Sequence, residues 1–314
     1  MSIKIFRNVL GAAMLAMILF ASTPAAMAQD EGGLNQGKLS FNAGVDFSTH
    51  YFFRGILQED QGLVMQPYGD VTANIFEGEG AINTVDLVLG VWNSVHGGNP
   101  TEELNNDYHY ELDWLVGASI GAFDSWSFGV MYTAYTSPAD AFPTVQEIAL
   151  SAALDDRVLL ENLIGDTGLS LSPYVLFAFE TRNGADGGFD NAPAGDEGVY
   201  LELGIEPSVT LVDSNDFPLT LSVPVTLGIS LSDYYEKIID NTAVGGTITA
   251  EDESFGFLDI GLVTSVPLGG VPNDYGTWDL SAGVHFLFLG DTTESLNNQD
   301  DFEVVGTLGI SMSY

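Results

Sequence analysis

Along most of this chain, apolar and polar residues alternate one for one. Between Leu39 and Arg54 the odd positions hold Leu39, Phe41, Ala43, Val45, Phe47, Thr49, Tyr51 and Phe53. The even positions hold Ser40, Asn42, Gly44, Asp46, Ser48, His50, Phe52 and Arg54. Successive side chains of a β-strand point to opposite faces, so this segment predicts a strand with one apolar and one mostly polar face. The end of the chain repeats the pattern, with Phe302, Val304, Leu308, Ile310, Met312 and Tyr314 on one side and Glu303, Thr307, Ser311 and Ser313 on the other. Twelve such segments follow one another: 39–54, 63–76, 81–95, 106–121, 126–136, 144–154, 169–182, 198–211, 217–231, 254–266, 275–289 and 302–314. Most exceed the ~9–11 residues that a tilted strand needs to cross a bilayer. A misreading of 63–76 or 144–154 would change the count to ten or fourteen.

The connectors alternate in length. Those at 77–80, 122–125 and 212–216 are short, while those at 96–105, 183–197, 232–253 and 290–301 are longer and rich in Asn, Asp, Glu and Gly. Short turns on one side and long loops on the other fit an outer-membrane barrel. Residues 155–168 depart from the rule and predict a helical turn around Val158–Leu163. Charge is one-sided. The polar faces carry Asp46, Asp70, Asp86, Glu111, Asp113, Glu147, Glu180, Glu202, Glu206, Asp259, Asp279 and Glu303, with Arg54, Arg182, His50, His109 and His285; the apolar faces carry no charged residue. Aromatic residues near segment ends on the apolar face (Tyr51, Phe53, Tyr108, Tyr110, Trp126, Trp278, Phe302 and Tyr314) suit the two bilayer–water interfaces.

A secreted β-sandwich also alternates, but its strands usually run to about 5–6 residues. The expected fold is therefore all-β: one transmembrane antiparallel up-and-down β-barrel of about 12 strands over 39–314. An open sheet edge in hydrocarbon would leave backbone groups unpaired, so the first and last strands must pair. Pro67, Pro173, Pro207, Pro218 and Pro224 lack a ladder donor and are expected at bulges or strand starts.

The N-terminal region reads differently. Lys4 and Arg7 precede an apolar run from Val9 to Phe20, and Ala26-Met27-Ala28 forms a small-x-small cleavage site. Residues 1–28 are expected to be a secretory signal peptide and 29–38 a periplasmic N-terminal segment. Beyond this region no 18-residue apolar run predicts a transmembrane helix.

Composition narrows the function. The 314 residues include 44 Asp and Glu against 7 Lys and Arg, and no Cys. Seven basic residues cannot build a nucleic-acid-binding face. Without Cys there is no disulfide framework and no Cys-ligated metal site. A hydrophobic content of 46% separates the chain from disordered acidic sequences.

Two stretches resemble known proteins. The terminal Leu308-Gly309-Ile310-Ser311-Met312-Ser313-Tyr314 is similar to the C-terminal signal of bacterial outer-membrane proteins, which implies recognition of Tyr314 by the barrel assembly machinery. The segment from Gly44 to Ile56 resembles the opening strand of the TorF-type family of bacterial outer-membrane porins, matching at Ser48, Tyr51, Arg54, Gly55, Ile56 and, beyond it, Gln58, with Leu57 where a Ser is usual. The resemblance implies a porin-like channel.

A twelve-strand barrel lies between filled eight-strand barrels and open 16–18-strand pores. The expected pore lining is Asp46, Arg54, Asp86, Glu111, Asp113, Glu180, Arg182, Glu202, Glu206 and Asp259, an acidic wall that favours cations. With both chain ends in the periplasm, Asp46, Asp86, Asp113 and Glu206 fall near mid-height, and Arg54, Arg182, Glu180 and Glu111 nearer the cell surface. Arg54 and Arg182 are expected to pair with acids and shape a constriction; alternatively Arg54 only braces the wall. The second functional reading is a non-conducting barrel serving as a surface interaction or structural protein, with long loops folded into the lumen. No motif supports an inward Ser-His-acid site using Ser48 or Ser119, a metal site using the inward histidines, or divalent cations on the acidic loops at 233–253 and 291–301, so these chemistries rank lower. His96 is read as a loop residue. The expected partners are outer-membrane lipid, lipopolysaccharide and small solutes or cations, with no cofactor.

Overall fold

The computed structural model describes residues 37–97, 108–165, 169–185, 197–212, 214, 218–240 and 248–314. The expected signal peptide lies outside them. Alternation becomes strand wherever it is sustained. The elements run β1 (Leu39–Ser48), β2 (Tyr51–Phe53), β3 (Ile56–Glu59), β4 (Val64–Glu77), β5 (Ile82–His96), β6 (His109–Ala122), β7 (Trp126–Thr136) and β8 (Val145–Leu154). Helix α1 (Arg157–Ile164) follows, where a helical turn was expected, and then β9 (Tyr174–Arg182), β10 (Val199–Ile205), β11 (Ser208–Val212), β12 (Leu219–Ser222) and β13 (Val225–Ser232). The chain ends with β14 (Glu236–Asp240), β15 (Ile248–Asp252), β16 (Phe255–Pro267), β17 (Thr277–Leu289), α2 (Asp291–Ser295) and β18 (Phe302–Ser313).

Neighbouring wall strands are antiparallel, and the ring closes because β1 pairs with β18, from Asn42 opposite Ser313 to Ser48 opposite Thr307. Phe41 and Tyr314 extend that seam by exchanging two backbone hydrogen bonds of 2.8 Å. The β10/β11 and β12/β13 pairs are each one wall strand interrupted at a proline, Pro207 and Pro224, so the barrel has twelve strands. Prolines explain these breaks because each removes a ladder donor. Pro67 lies inside β4 at the gap in its pairing with β5, between Met65 opposite Val95 and Tyr68 opposite Trp92. Pro173 and Pro218 immediately precede β9 and β12.

The partition of faces follows the alternation. Leu87, Leu89, Trp114, Val116, Leu150, Leu203, Leu262 and Leu308 are exposed on the outside, whereas Asp70, Asp86, Glu111, Asp113, Glu147, Glu180, Glu202, Asp259 and Asp279 are buried inside. The start of β1 and the end of β18 share one rim with the turns after β4, β6 and β16 and with α1. The opposite rim carries the longer connections.

The first predicted strand does not survive whole. β1 stops at Ser48, and β2 and β3 leave the wall as a separate hairpin. Tyr51 and Phe53, expected on the lipid-facing side, are buried in the interior together with Phe52. The reason is the turn at Arg54-Gly55, where both residues have positive φ, 47° and 82°. Two central residues of that sign make a type I′ turn, whose twist suits a tight hairpin.

Candidate functional site

The hairpin crosses the lumen. It leaves β1 and reaches β8, the sixth wall strand in a ring of twelve and so nearly opposite. At its tip the Arg54 guanidinium donates to both carboxylate oxygens of Glu147, at 2.6 and 2.8 Å, and to the Tyr234 hydroxyl at 2.8 Å. Its Cζ lies 4.2 Å from the centre of the Tyr200 ring, with the Phe53 and Tyr234 ring centres at 5.2 and 5.4 Å. Tyr235 closes the seat by donating its hydroxyl to the Arg54 carbonyl at 2.8 Å. Burial pushes the phenols of Tyr234 and Tyr235, both in the loop after β13, well above their ordinary range.

The hairpin's flanks are tied to the wall as well. Tyr51 donates to Glu111 at 2.8 Å, Tyr110 donates to Gln58 at 2.6 Å, and Glu59 lies 3.1 Å from His96. His96 is therefore not a loop residue: it ends β5 and stacks on Tyr110 at 4.3 Å. Tyr110 was expected to face lipid. A register shift between β5 and β6 at Ser94/Val95 turns it toward the hairpin, and His109 bonds Asn93 at 3.0 Å.

This layer packs across the barrel interior. Each of the twelve wall strands places a buried side chain in it: Ser48, Val64, Ser94, Glu111, Tyr135, Glu147, Ala178, Tyr200, Ser230, Asp259, Leu287 and Val305. Within the ring the hairpin residues Tyr51, Phe52, Phe53, Arg54 and Ile56 are buried too.

The predicted lining residues occupy three settings. Arg54 stands at the centre of the plug rather than on a wall strand. Glu111 and Asp113 lie beside it, which moves Asp113 from the expected mid-height into the plug layer. Glu202 accepts from Tyr174 at 2.8 Å and from Tyr200 at 2.5 Å, and Asp259 meets the fully buried His285 at 2.9 Å. Glu180 accepts backbone N–H groups of Ala185 and Gly198 at 2.7 and 2.8 Å and so clamps the two ends of the loop after β9. Below the plug, Asp86 accepts from Asn74 at 2.8 Å, and Asp46 and Glu206 are half-buried. Arg182 is exposed at the end of β9 and takes no part in the Arg54 seat.

Sequence reasoning placed Glu147 inward but not among the lining residues, and it passed over Tyr200, Tyr234 and Tyr235. The only signal for them was the adjacent tyrosine pair in an acidic loop. The candidate Ser-His arrangements do not assemble: Ser48 donates to the His50 carbonyl at 2.5 Å, and neither the Ser119 hydroxyl nor the His285 Nε2 meets a partner. Asp233, Glu253, Asp300 and Asp301 lie in loops, and Asp291 and Glu294 in α2, at the same end as the plug.

No protein-family model and no curated protein matches the chain. Among solved structures, an outer-membrane channel from Pseudomonas putida F1 aligns over 88% of this chain and 95% of its own length, at 8% identity and a TM-score of 0.47. A bacterial polysaccharide outer-membrane secretin covers 88% of this chain and 97% of its own, at 9% identity and a TM-score of 0.43. The NanC porin covers 87% and 98%, at 11% identity and a TM-score of 0.36.

Proposed function

We propose that this protein is a bacterial outer-membrane channel for small solutes, preferring cations, held closed by the β2–β3 hairpin. The observation that carries the reading is the division of the barrel: an uncharged apolar exterior around a carboxylate-bearing interior, with one chain segment across it. An acidic lumen with low-dielectric walls concentrates cations and repels anions. The segment that blocks it is a short hairpin attached at its ends, and its seat is polar at the tip. Releasing such a plug breaks the Arg54–Glu147 ion pair and several hydrogen bonds and unpacks Tyr51, Phe52, Phe53 and Ile56 from the interior. In this reading no catalytic step and no cofactor is involved. Export through the N-terminal segment, insertion by the assembly machinery through Tyr314, and contact with outer-membrane lipid and lipopolysaccharide belong to the same proposal.

The packed layer favours a second reading, a permanently closed barrel with a structural or surface-interaction role. Planar-bilayer recording decides between them. The channel reading expects a low open probability for the native chain and steady conductance when residues 51–59 are replaced by a short Gly-Ser link. A correctly folded hairpin-less barrel that stays silent favours the closed-barrel reading.

A further inference from the structure

The connection between β8 and β9 carries an apolar surface that the barrel does not cover. Helix α1 buries none of its residues. Val158, Leu159, Leu163 and Ile164 are exposed to 64%, 53%, 69% and 55%. Leu159 and Leu163 are one turn apart on one side, and Arg157 and Glu161 are one turn apart on another. The helix is built to project rather than to pack inward. Asp156 is buried and accepts hydrogen bonds from the Ser170 hydroxyl at 2.8 Å and from the backbone N–H groups of Leu171 and Ser172 at 3.0 and 3.1 Å. That bracket joins the start of α1 to the approach of β9. The Asp155 N–H donates to the Ser125 carbonyl at 2.8 Å, which holds the helix start at the β6–β7 turn. Hydrogen bonds from Arg157 hold the Asp155 carboxyl below the usual carboxylate range, so this end of the helix keeps its charge pair.

The surface beside it identifies the occupant. Phe123 and Trp126, on that same turn, are exposed and begin the apolar exterior of the wall, where Trp126 stacks on Phe128 and pairs with Leu154. The apolar side chains of α1 continue that band at the rim where β1 starts and β18 ends. We propose that α1 lies in the membrane interface of the periplasmic leaflet, with Leu159 and Leu163 among the lipid acyl chains and Arg157 and Glu161 toward water. Short amphipathic helices with one apolar face lie this way, immersed by about 5–10 Å. The inference rests on the membrane reading above.

The test uses the absence of native Cys. Nitroxide labels are attached to Leu159→Cys, Leu163→Cys, Glu161→Cys and, as a wall reference, Val116→Cys in the full-length protein. The protein is reconstituted into phosphatidylethanolamine–phosphatidylglycerol vesicles. Electron paramagnetic resonance then compares collisions with oxygen, which partitions into lipid, and with a water-soluble nickel chelate. The expected result is that positions 159 and 163 favour oxygen in the same sense as 116, while 161 favours nickel. If 159 and 163 favour nickel, or are shielded from both reagents as in a protein contact, while 116 still favours oxygen, the inference is overturned and the barrel reading stands. Nickel access at 116 would overturn the membrane reading and this inference with it.

Discussion

Arg54 concentrates the energetic risk of the fold in one side chain. It is a buried cation with two hydrogen bonds to one carboxylate, and its Nε has no partner. Removing one member of a buried ion pair leaves the other charge stranded, at a cost of about 3–5 kcal/mol, whereas replacing both by apolar groups is often neutral. Arg54→Ala is therefore expected to lower stability by about that much in micelle unfolding experiments. Arg54→Met combined with Glu147→Leu is expected to recover most of the loss. A double variant as unstable as Arg54→Ala would show that the pair is not what the single change disrupts. The two faces of the wall offer a second comparison. Leu203 is exposed on the outside, so Leu203→Arg is expected to cost ~2–4 kcal/mol in a bilayer. Thr210, half-buried and on the inward face below the plug, is expected to accept Arg at much lower cost. Equal losses in the two variants would contradict the face assignment.

In the proposed channel, closure depends on the hairpin, and Gly55 sets its shape. At φ 82°, an added Cβ would approach the Phe257 Cβ to 2.9 Å, so both backbone and neighbour resist a side chain there. Gly55→Ala is expected to lift the tip from its seat and to raise open probability in single-channel recordings. An unchanged record would show that the tip does not gate conduction. The departure of this hairpin from the wall was only faintly written in the sequence. Apolar residues return at Tyr51 and Phe53 in the same phase as before Ser48, and only the short polar run Ser48-Thr49-His50 interrupts the strand. The sign of trouble was Phe52, an aromatic on the otherwise polar face, followed by Arg54-Gly55 where a two-residue turn fits. Period two reports which side of a strand is apolar but not whether the strand stays in the sheet. The wall strands were legible because each has one uncharged side. Tyr110 was misplaced because one residue of register shift reverses a side chain, and no local signal announces it. The Tyr234-Tyr235 seat depends on contacts with Arg54 some 180 residues away, which no window along the chain can contain.

Across the whole barrel, the acids of the wall between the two rims point inside and its outward face carries apolar side chains. In the structure their neighbours are mostly neutral donors: Tyr51 for Glu111, Tyr174 and Tyr200 for Glu202, Asn42 for Asp70 and Asn74 for Asp86. Arg54 is the main fixed cation among them, and it leaves the lumen with the plug. An opened barrel would therefore be more acidic than the closed one. The chain carrying the Gly-Ser link in place of residues 51–59 is thus expected to show a reversal potential of cation-selective sign under a salt gradient. Asp46→Asn and Asp86→Asn, below the plug, are expected to shrink it. Screening supplies a further check, because the Debye length falls from about 10 Å at 0.1 M salt to about 3 Å at 1 M. A preference set by wall carboxylates acting across the lumen must weaken over that range, whereas one set by pore width alone must persist. Anion selectivity in the hairpin-less barrel would end the claim that these carboxylates govern permeation.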